Sequence, residues 1–82
     1  MALTPTQCRM ARAGLNWSNA DLARAAGVGV NTVSRFEQGG DVRQSSVLAL
    51  KGALEQAGAV FLSEGEVSLA GAPGVRLHGD LK

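Results

Sequence analysis

The segment from Ser18 to Gly39, SNADLARAAGVGVNTVSRFEQG, limits the possible folds more than any other part of the chain. Ser18 followed by Asp21 forms a capping-box pattern that starts a helix, and Gly27 supplies the backbone freedom of a tight turn. A second helix is predicted over Val30–Glu37, because glycines that end a helix follow it. Apolar residues at helical spacing predict that both helices pack on one small core. The residues expected to face this core are Leu22, Ala23, Ala26, Val33 and Phe36.

This segment resembles the phage-repressor and Cro type of helix-turn-helix, often called the Xre family. The matching positions, in order, are Asp21, Leu22, Ala23, Gly27, Val28, Thr32, Val33, Ser34, Phe36, Glu37 and Gly39. Two positions depart from the family pattern, since Gly29 stands where serine or threonine is usual and Asn19 where glutamine is common. The similarity extends over residues 4 to 58.

The resemblance implies an all-α fold, a small four-helix repressor-like bundle containing the helix-turn-helix. In such motifs the first helix crosses the DNA backbone and the second lies in the major groove. The positions that match base-reading residues of the family are Val30, Asn31 and Arg35. Their chemistry fits, because asparagine pairs with adenine, arginine with guanine, and valine contacts a thymine methyl group. The alternative is that these three residues form only a solvated helix face.

Contacts to the DNA backbone are expected at both ends of the motif. The free N–H groups that begin the first motif helix suit a phosphate, and the loop after the second helix matches a phosphate-holding position of the family. The residues expected to make these contacts are Ser18, Asn19, Thr32, Ser34 and Arg43. Glu37 is expected to anchor the loop after the helix instead, because a carboxylate repels phosphate.

A helix is predicted on each side of the motif. The first, Pro5–Ala13, is preceded by Thr4, which can form a capping box with Gln7. It should turn Cys8, Ala11 and Leu15 inward and Arg9 and Arg12 to the opposite face. The last helix is expected to be capped by Ser45 or Ser46 and to end at Gly58. Its predicted inward stripe is Val47, Leu50, Leu54 and Ala57.

Residues 1–58 are therefore predicted to be the DNA-binding domain, and residues 59–82 a β tail. Strand-like sequence occurs at 59–62 and at 74–78, with weaker alternation at 67–69. Because two isolated strands are marginal in water, the tail is expected to form a hairpin that packs on the bundle or pairs with a second subunit. The alternative is a frayed terminus. The residues predicted to serve dimerisation are Val60, Phe61, Leu62, Val75 and Leu77.

Composition excludes several classes of protein. The chain has 45% hydrophobic and 18% charged residues and a net charge of +1, which is typical of a globular domain. No apolar run approaches the length of a membrane span. The single cysteine, Cys8, fits a reducing compartment, and a cytoplasmic location is predicted. The only histidine, His78, stands in the tail, so no catalytic constellation, metal site or cofactor is predicted.

The sequence thus predicts a sequence-specific transcriptional regulator, a repressor that binds a pseudo-palindromic site on double-stranded DNA as a homodimer. One alternative is an antitoxin-type module that binds a toxin or another protein partner through its tail and regulates its own operon. A second alternative is an adaptor that has kept the fold and lost DNA binding; the low net charge and Gly29 favour it, whereas Asn31 and Arg35 oppose it.

Overall fold

The structure, a computed structural model, describes residues 3–61 and 67–69. These residues form four helices followed by a two-stranded antiparallel sheet, which confirms the predicted fold class. The elements are α1 (Pro5–Gly14), α2 (Asn19–Ala26), α3 (Val30–Glu37), α4 (Gln44–Gln56), β1 (Ala59–Phe61) and β2 (Val67–Leu69). Within the described residues, no helix is both long and apolar enough to cross a membrane.

Helix α1 begins and ends with motifs that fix its direction. The Thr4 hydroxyl accepts a hydrogen bond from the Gln7 backbone N–H at 3.1 Å, and the Gln7 side chain accepts one from the Thr4 N–H, so the predicted capping box is confirmed. At the other end, Asn16 takes the left-handed conformation with φ of 61°. The Trp17 N–H then donates to the Arg12 carbonyl at 2.9 Å. This Schellman motif folds Trp17 back over the last turn of α1.

The turn between α2 and α3 follows the glycine signal in the sequence. Gly27 has a left-handed φ of 74°, which a side chain would disfavour. The Val28 N–H donates back to the Ala23 carbonyl at 3.0 Å, which closes the end of α2. The chain therefore reverses within three residues, and α3 begins at Val30 packed across α2.

The core lies where the four helices meet. Every residue predicted to be buried in the middle of a helix is buried: the set is Cys8, Ala11, Leu22, Ala23, Val33, Phe36, Val47, Leu50 and Leu54. Leu15, Trp17 and Ala26 are partly buried at its margin. Leu3, which the sequence did not suggest, is also buried. Burial of the valine, leucine and phenylalanine side chains in this set contributes roughly 1.5–3 kcal/mol each, so this small core supplies most of the driving force for folding.

Helices α1 and α3 are joined by an ion pair that the sequence analysis did not anticipate. Arg12 was expected on the face opposite the core, and this prediction is wrong. Glu37 was expected to anchor the loop after α3; its carboxylate holds the end of α3 on α1. The Arg12 guanidinium instead forms a two-pronged contact with the Glu37 carboxylate, with Nε–Oε2 and Nη2–Oε1 distances of 2.9 Å. The Glu37 side chain is only 7% exposed and that of Arg12 is 22% exposed.

Further hydrogen bonds surround this ion pair. The Cys8 thiol donates to Glu37 Oε2 at 3.2 Å, and Arg9 donates to the Glu37 backbone carbonyl. Arg12 Nη1 also donates to the Trp17 carbonyl at 3.0 Å, so Arg12 binds the segment that follows α1 as well as Glu37. Burial, and then the hydrogen bond to Glu37, raise the pKa of Cys8 to about 12. The thiol therefore remains protonated at neutral pH, as expected for a structural rather than a reactive cysteine.

Helix α4 begins earlier than predicted. Its first residue is Gln44, its N-cap is Arg43, and no side chain caps it, so neither Ser45 nor Ser46 has the predicted capping role. The Arg43 carbonyl accepts from the Ser46 and Val47 N–H groups, because the extended backbone of Arg43 already leads into the helix. Packing of Val47 in the core sets this start, whereas a local serine preference would have placed it later.

The described part of the tail packs on the bundle. Strand β1 pairs with β2, with Ala59 opposite Leu69 and Phe61 opposite Val67. Ala59 is buried, and Phe61 and Val67 pack against the helical core, while Val60 is 47% exposed. The hairpin was predicted mainly from 59–62 and 74–78. In the described residues, 59–61 pair with the weakly alternating segment 67–69, and the strand predicted at 74–78 lies outside the described residues. The other residues predicted for dimerisation, Leu62, Val75 and Leu77, lie outside the described residues.

We predict that Glu37→Ala lowers the free energy of unfolding by about 3 kcal/mol, because removing one partner leaves the Arg12 charge partly buried without compensation. Chemical denaturation followed by circular dichroism measures this change. The matched control is Glu55→Ala, which removes an exposed carboxylate from α4 and should change stability by less than about 0.5 kcal/mol. Equal effects of the two substitutions would contradict a stabilising role for the ion pair.

Candidate nucleic-acid interface

Helix α3 has one buried and one exposed face. Val33, Phe36 and Glu37 are buried, and they hold the helix against α1, α2 and α4. Asn31 and Arg35 are exposed on the opposite side, four residues and therefore one helical turn apart. The structure thus places the predicted base-contacting side chains where a partner outside the protein can reach them.

Val30 begins the same exposed face. Its side chain is 45% exposed, an unusual position for a valine that has no partner in the protein core. The residue before it, Gly29, is the N-cap of α3 and provides no side-chain hydrogen bond. The first turn of α3 therefore presents backbone N–H groups and an apolar side chain together, which suits an approach to the edges of bases.

A groove of about 690 Å³ lies beside α3, between the turn after α2 and the start of α4. It brings together three of the predicted contact residues, Thr32, Arg35 and Arg43. The Arg43 guanidinium and the Thr32 hydroxyl group can bind an oxyanion such as a phosphate, and the Arg35 guanidinium can donate to the edge of a base. The full lining is Gly27, Val28, Gly29, Thr32, Arg35, Asp41, Val42, Arg43 and Ser46.

Sequence reasoning missed two polar residues of this groove. Ser46 lies three residues after Arg43 on the first turn of α4, and this i, i+3 spacing would have revealed it had the helix start been placed at Gln44. Asp41 adds a carboxylate to the lining of the same groove. A search for DNA-binding residues does not select Asp41, because a negative charge opposes phosphate binding.

The predicted backbone contacts Asn19 and Ser34 bind each other. The Asn19 side-chain nitrogen donates to the Ser34 hydroxyl oxygen at 3.1 Å, so this hydrogen bond joins the first turn of α2 to α3. The amide oxygen of Asn19 is buried and has no hydrogen-bond partner among the described residues. The Asn19 amide nitrogen has two hydrogens, so one can still donate to DNA while the other binds Ser34.

Ser18 caps α2 as predicted. Its hydroxyl oxygen accepts from the Asp21 N–H at 3.0 Å, and the Asp21 carboxylate accepts from the Ser18 N–H at 2.9 Å. Arg24 pairs with Asp21 at 3.3 Å, which partly neutralises the carboxylate beside the helix terminus.

The capping box also changes the titration of Asp21. Hydrogen bonds from the Ser18 backbone and side chain, followed by the contact with Arg24, lower the pKa of Asp21 below its usual 3.8. Because the pKa is lower in the folded protein, the ionised carboxylate stabilises the fold above the unfolded-state pKa. That contribution is lost as the pH falls through the folded-state pKa.

We predict that the stability difference between the natural protein and Asp21→Asn is constant above about pH 5 and closes as the pH falls toward 2. At low pH both side chains are neutral, so they differ little at the helix terminus. Urea denaturation of both proteins across this pH range measures the difference, and other titrating groups cancel because both proteins contain them. A difference that stays constant down to pH 2 would contradict the assigned role of the carboxylate.

Comparison with known proteins agrees with this geometry. A family model described as helix-turn-helix matches residues 9–55, which is more than half of the chain. The match begins within α1 and ends within α4, so it contains the ion pair, the turn at Gly27 and the groove beside α3, but not the β hairpin. No curated protein matches the chain at a significant level. Among the described residues, no cluster of His, Cys, Asp and Glu could hold a metal ion.

Proposed function

Because the chain belongs to the Xre/Cro-like helix-turn-helix family and is thus a DNA-binding regulator, we propose that it represses transcription by binding a pseudo-palindromic operator as a homodimer. The single observation that carries this proposal is the exposed face of α3, where Asn31 and Arg35 lie one turn apart. In this proposal α3 enters the major groove, Asn31 pairs with adenine, Arg35 pairs with guanine, and Val30 contacts a thymine methyl group.

The phosphate contacts lie on either side of α3. At one side, the first-turn N–H groups of α2 and the Ser18 hydroxyl group bind one strand. At the other side, Thr32, Arg43 and the first turn of α4 bind the opposite strand across the groove. The absence of a side-chain cap on α4 supports this assignment, because its first N–H groups need a partner from outside the helix.

Asn19 and Ser34 have a supporting role in this proposal. Their hydrogen bond fixes the first turn of α2 relative to α3. The spacing between the phosphate-binding helix terminus and the base-reading face is therefore set before DNA arrives. Preorganisation of this kind raises affinity by reducing the ordering cost of binding. It also explains how asparagine serves at a position where the family commonly has the longer glutamine.

The homodimer is part of the proposal because a single recognition helix contacts only a short stretch of DNA. One helix of this length reads only one half-site, and two-fold dimers place two such helices about 34 Å apart on successive turns of the major groove. The β hairpin is the proposed dimerisation element, with Val60 and Phe61 as its described members. Val60 supports this role better than Phe61, because Val60 is exposed and Phe61 packs on the core of its own chain.

We predict that Arg35→Ala weakens binding to the operator by about tenfold or more and removes the preference for guanine at one position in each half-site. The reason is that a bidentate arginine–guanine contact contributes about 1–3 kcal/mol of discrimination. The operator is first selected by the natural protein from a random duplex library. Fluorescence anisotropy then measures the affinity for the selected and for a scrambled duplex over a range of salt concentrations.

Arg24→Ala is the matched control, because it removes the same charge from the exposed side of α2, away from the groove. It should leave the preference for the selected duplex unchanged. Equal, weak binding of the natural protein to both duplexes would overturn the proposal and would favour a protein partner for this chain. An unchanged preference in Arg35→Ala would overturn the assigned base contact.

We predict that Val60→Lys converts the dimer into a monomer and weakens operator binding, because a charged side chain cannot be buried unpaired in an apolar interface. Sedimentation equilibrium of both proteins measures the change. Leu48→Lys is the control, since Leu48 is 59% exposed on α4 and lies outside the hairpin. A dimer that persists in Val60→Lys would show that the hairpin is not the interface.

A further inference from the structure

Helix α3 ends in a motif that places one loop residue directly over Arg35. Gly39 has a left-handed φ of 89°, and its N–H donates to the Phe36 carbonyl at 3.0 Å. The N–H of the next residue, Gly40, donates to the Arg35 carbonyl at 2.8 Å. These two hydrogen bonds define a Schellman motif, in which the second residue after the cap folds back onto the residue one turn inside the helix. Here that pair is Gly40 and Arg35.

The backbone conformation does not explain a glycine at position 40. Gly39 takes the left-handed conformation that the motif requires, whereas Gly40 does not have a positive φ. Any residue can therefore adopt the backbone of Gly40 and donate its hydrogen bond. In many Schellman motifs this position holds an apolar side chain that contacts the last turn of the helix.

The space above Arg35 does explain the glycine. A Cβ atom added to Gly40 would lie 2.7 Å from Arg35 Cγ and 3.2 Å from the Arg35 carbonyl oxygen. Contacts under 3.0 Å between carbon atoms are not tolerated, so one of the two residues would have to move. Cγ is the second carbon of the arginine side chain, so only a rotation about χ1 moves it away from a Cβ atom at position 40. The methylene stem of Arg35 therefore occupies the place that a side chain at position 40 would take.

We infer that Gly40 is a positioning residue for Arg35: its missing side chain lets the arginine stem lie over the end of α3, so that Arg35 lines the groove beside Thr32 and Arg43. This inference rests on the proposed function, in which Arg35 reads a base. Gly40 and Arg35 are both exposed, so the contact orients Arg35 without contributing to the core. A side chain at position 40 would redirect Arg35 and leave the fold intact.

The test uses the full chain and four variants: Gly40→Ala, Gly52→Ala, Arg35→Ala and the double variant Gly40→Ala/Arg35→Ala. Gly52 is the matched control, because it lies within α4, has no positive φ, and an added Cβ would meet no atom within 4 Å. Thermal unfolding reports whether each variant folds. Binding is measured on the duplex that the natural protein selects from a random library. In the free natural protein, NMR should show a nuclear Overhauser contact between the Gly40 α-protons and the Arg35 γ-protons.

We expect Gly40→Ala to unfold at a temperature close to that of the natural protein but to bind the selected duplex about tenfold more weakly. Gly52→Ala replaces glycine by a better helix former within α4, so it should unfold at a slightly higher temperature and bind the duplex normally. We also expect Gly40→Ala to have no further effect when Arg35 is already alanine, because residues that act through one another are not additive. A purely structural role would lower the unfolding temperature and would weaken binding equally in both backgrounds.

Three results would overturn the inference: normal binding by Gly40→Ala, an equal loss in the Arg35→Ala background, or absence of the NMR contact. Failure of the proposed function is recognised separately. If Arg35→Ala itself keeps the full preference for the selected duplex, the base contact and this inference both fail. If Arg35→Ala loses the preference and Gly40→Ala does not, only the positioning role of Gly40 fails.

Discussion

The orientation of α3 depends on the buried contact between Arg12 and Glu37. Apolar packing is not directional, so a small core by itself leaves neighbouring helices free to shift. The two-pronged guanidinium–carboxylate contact has one favourable geometry, with both distances at 2.9 Å. Since Glu37 is the last residue of α3, fixing it to α1 also fixes where the helix ends and where the following loop begins. This contact therefore also determines the positions of the exposed face of α3 and of the groove beside it.

The ends of α1 and α3 use the same backbone motif for different purposes. At the end of α1, the motif places Trp17 over Arg12, and Arg12 also donates to the Trp17 carbonyl, so the turn belongs to the buried polar cluster. At the end of α3, it places a glycine over Arg35, and the arginine remains exposed. One backbone geometry therefore holds one arginine inside the fold and directs another outward. Arg12 is held inward by the Glu37 carboxylate and the Trp17 carbonyl.

The β hairpin lies outside the family match but packs on the helical domain. The family match ends at residue 55, within α4, and β1 begins at Ala59. The hairpin nevertheless shares the core, since Ala59 is buried and Phe61 packs on the helices. Only Val60 among the residues of β1 presents a large apolar surface to solvent. Ala59 and Phe61 of the hairpin thus cover the bundle, while Val60 remains exposed.

The sequence alone determined what depends on neighbours along the chain. The caps at Thr4 and Ser18, the turn at Gly27 and the spacing of the core residues all follow from local hydrogen bonding and helical periodicity, and each was predicted correctly. Tertiary structure decided what depends on residues distant in sequence. Arg12 and Glu37 meet across 25 positions, the start of α4 follows the packing of Val47 rather than a local cap, and Asn19 is held by Ser34. Charged and amide side chains show no periodicity that reveals their partners, so these contacts become visible only when packing has brought the helices together.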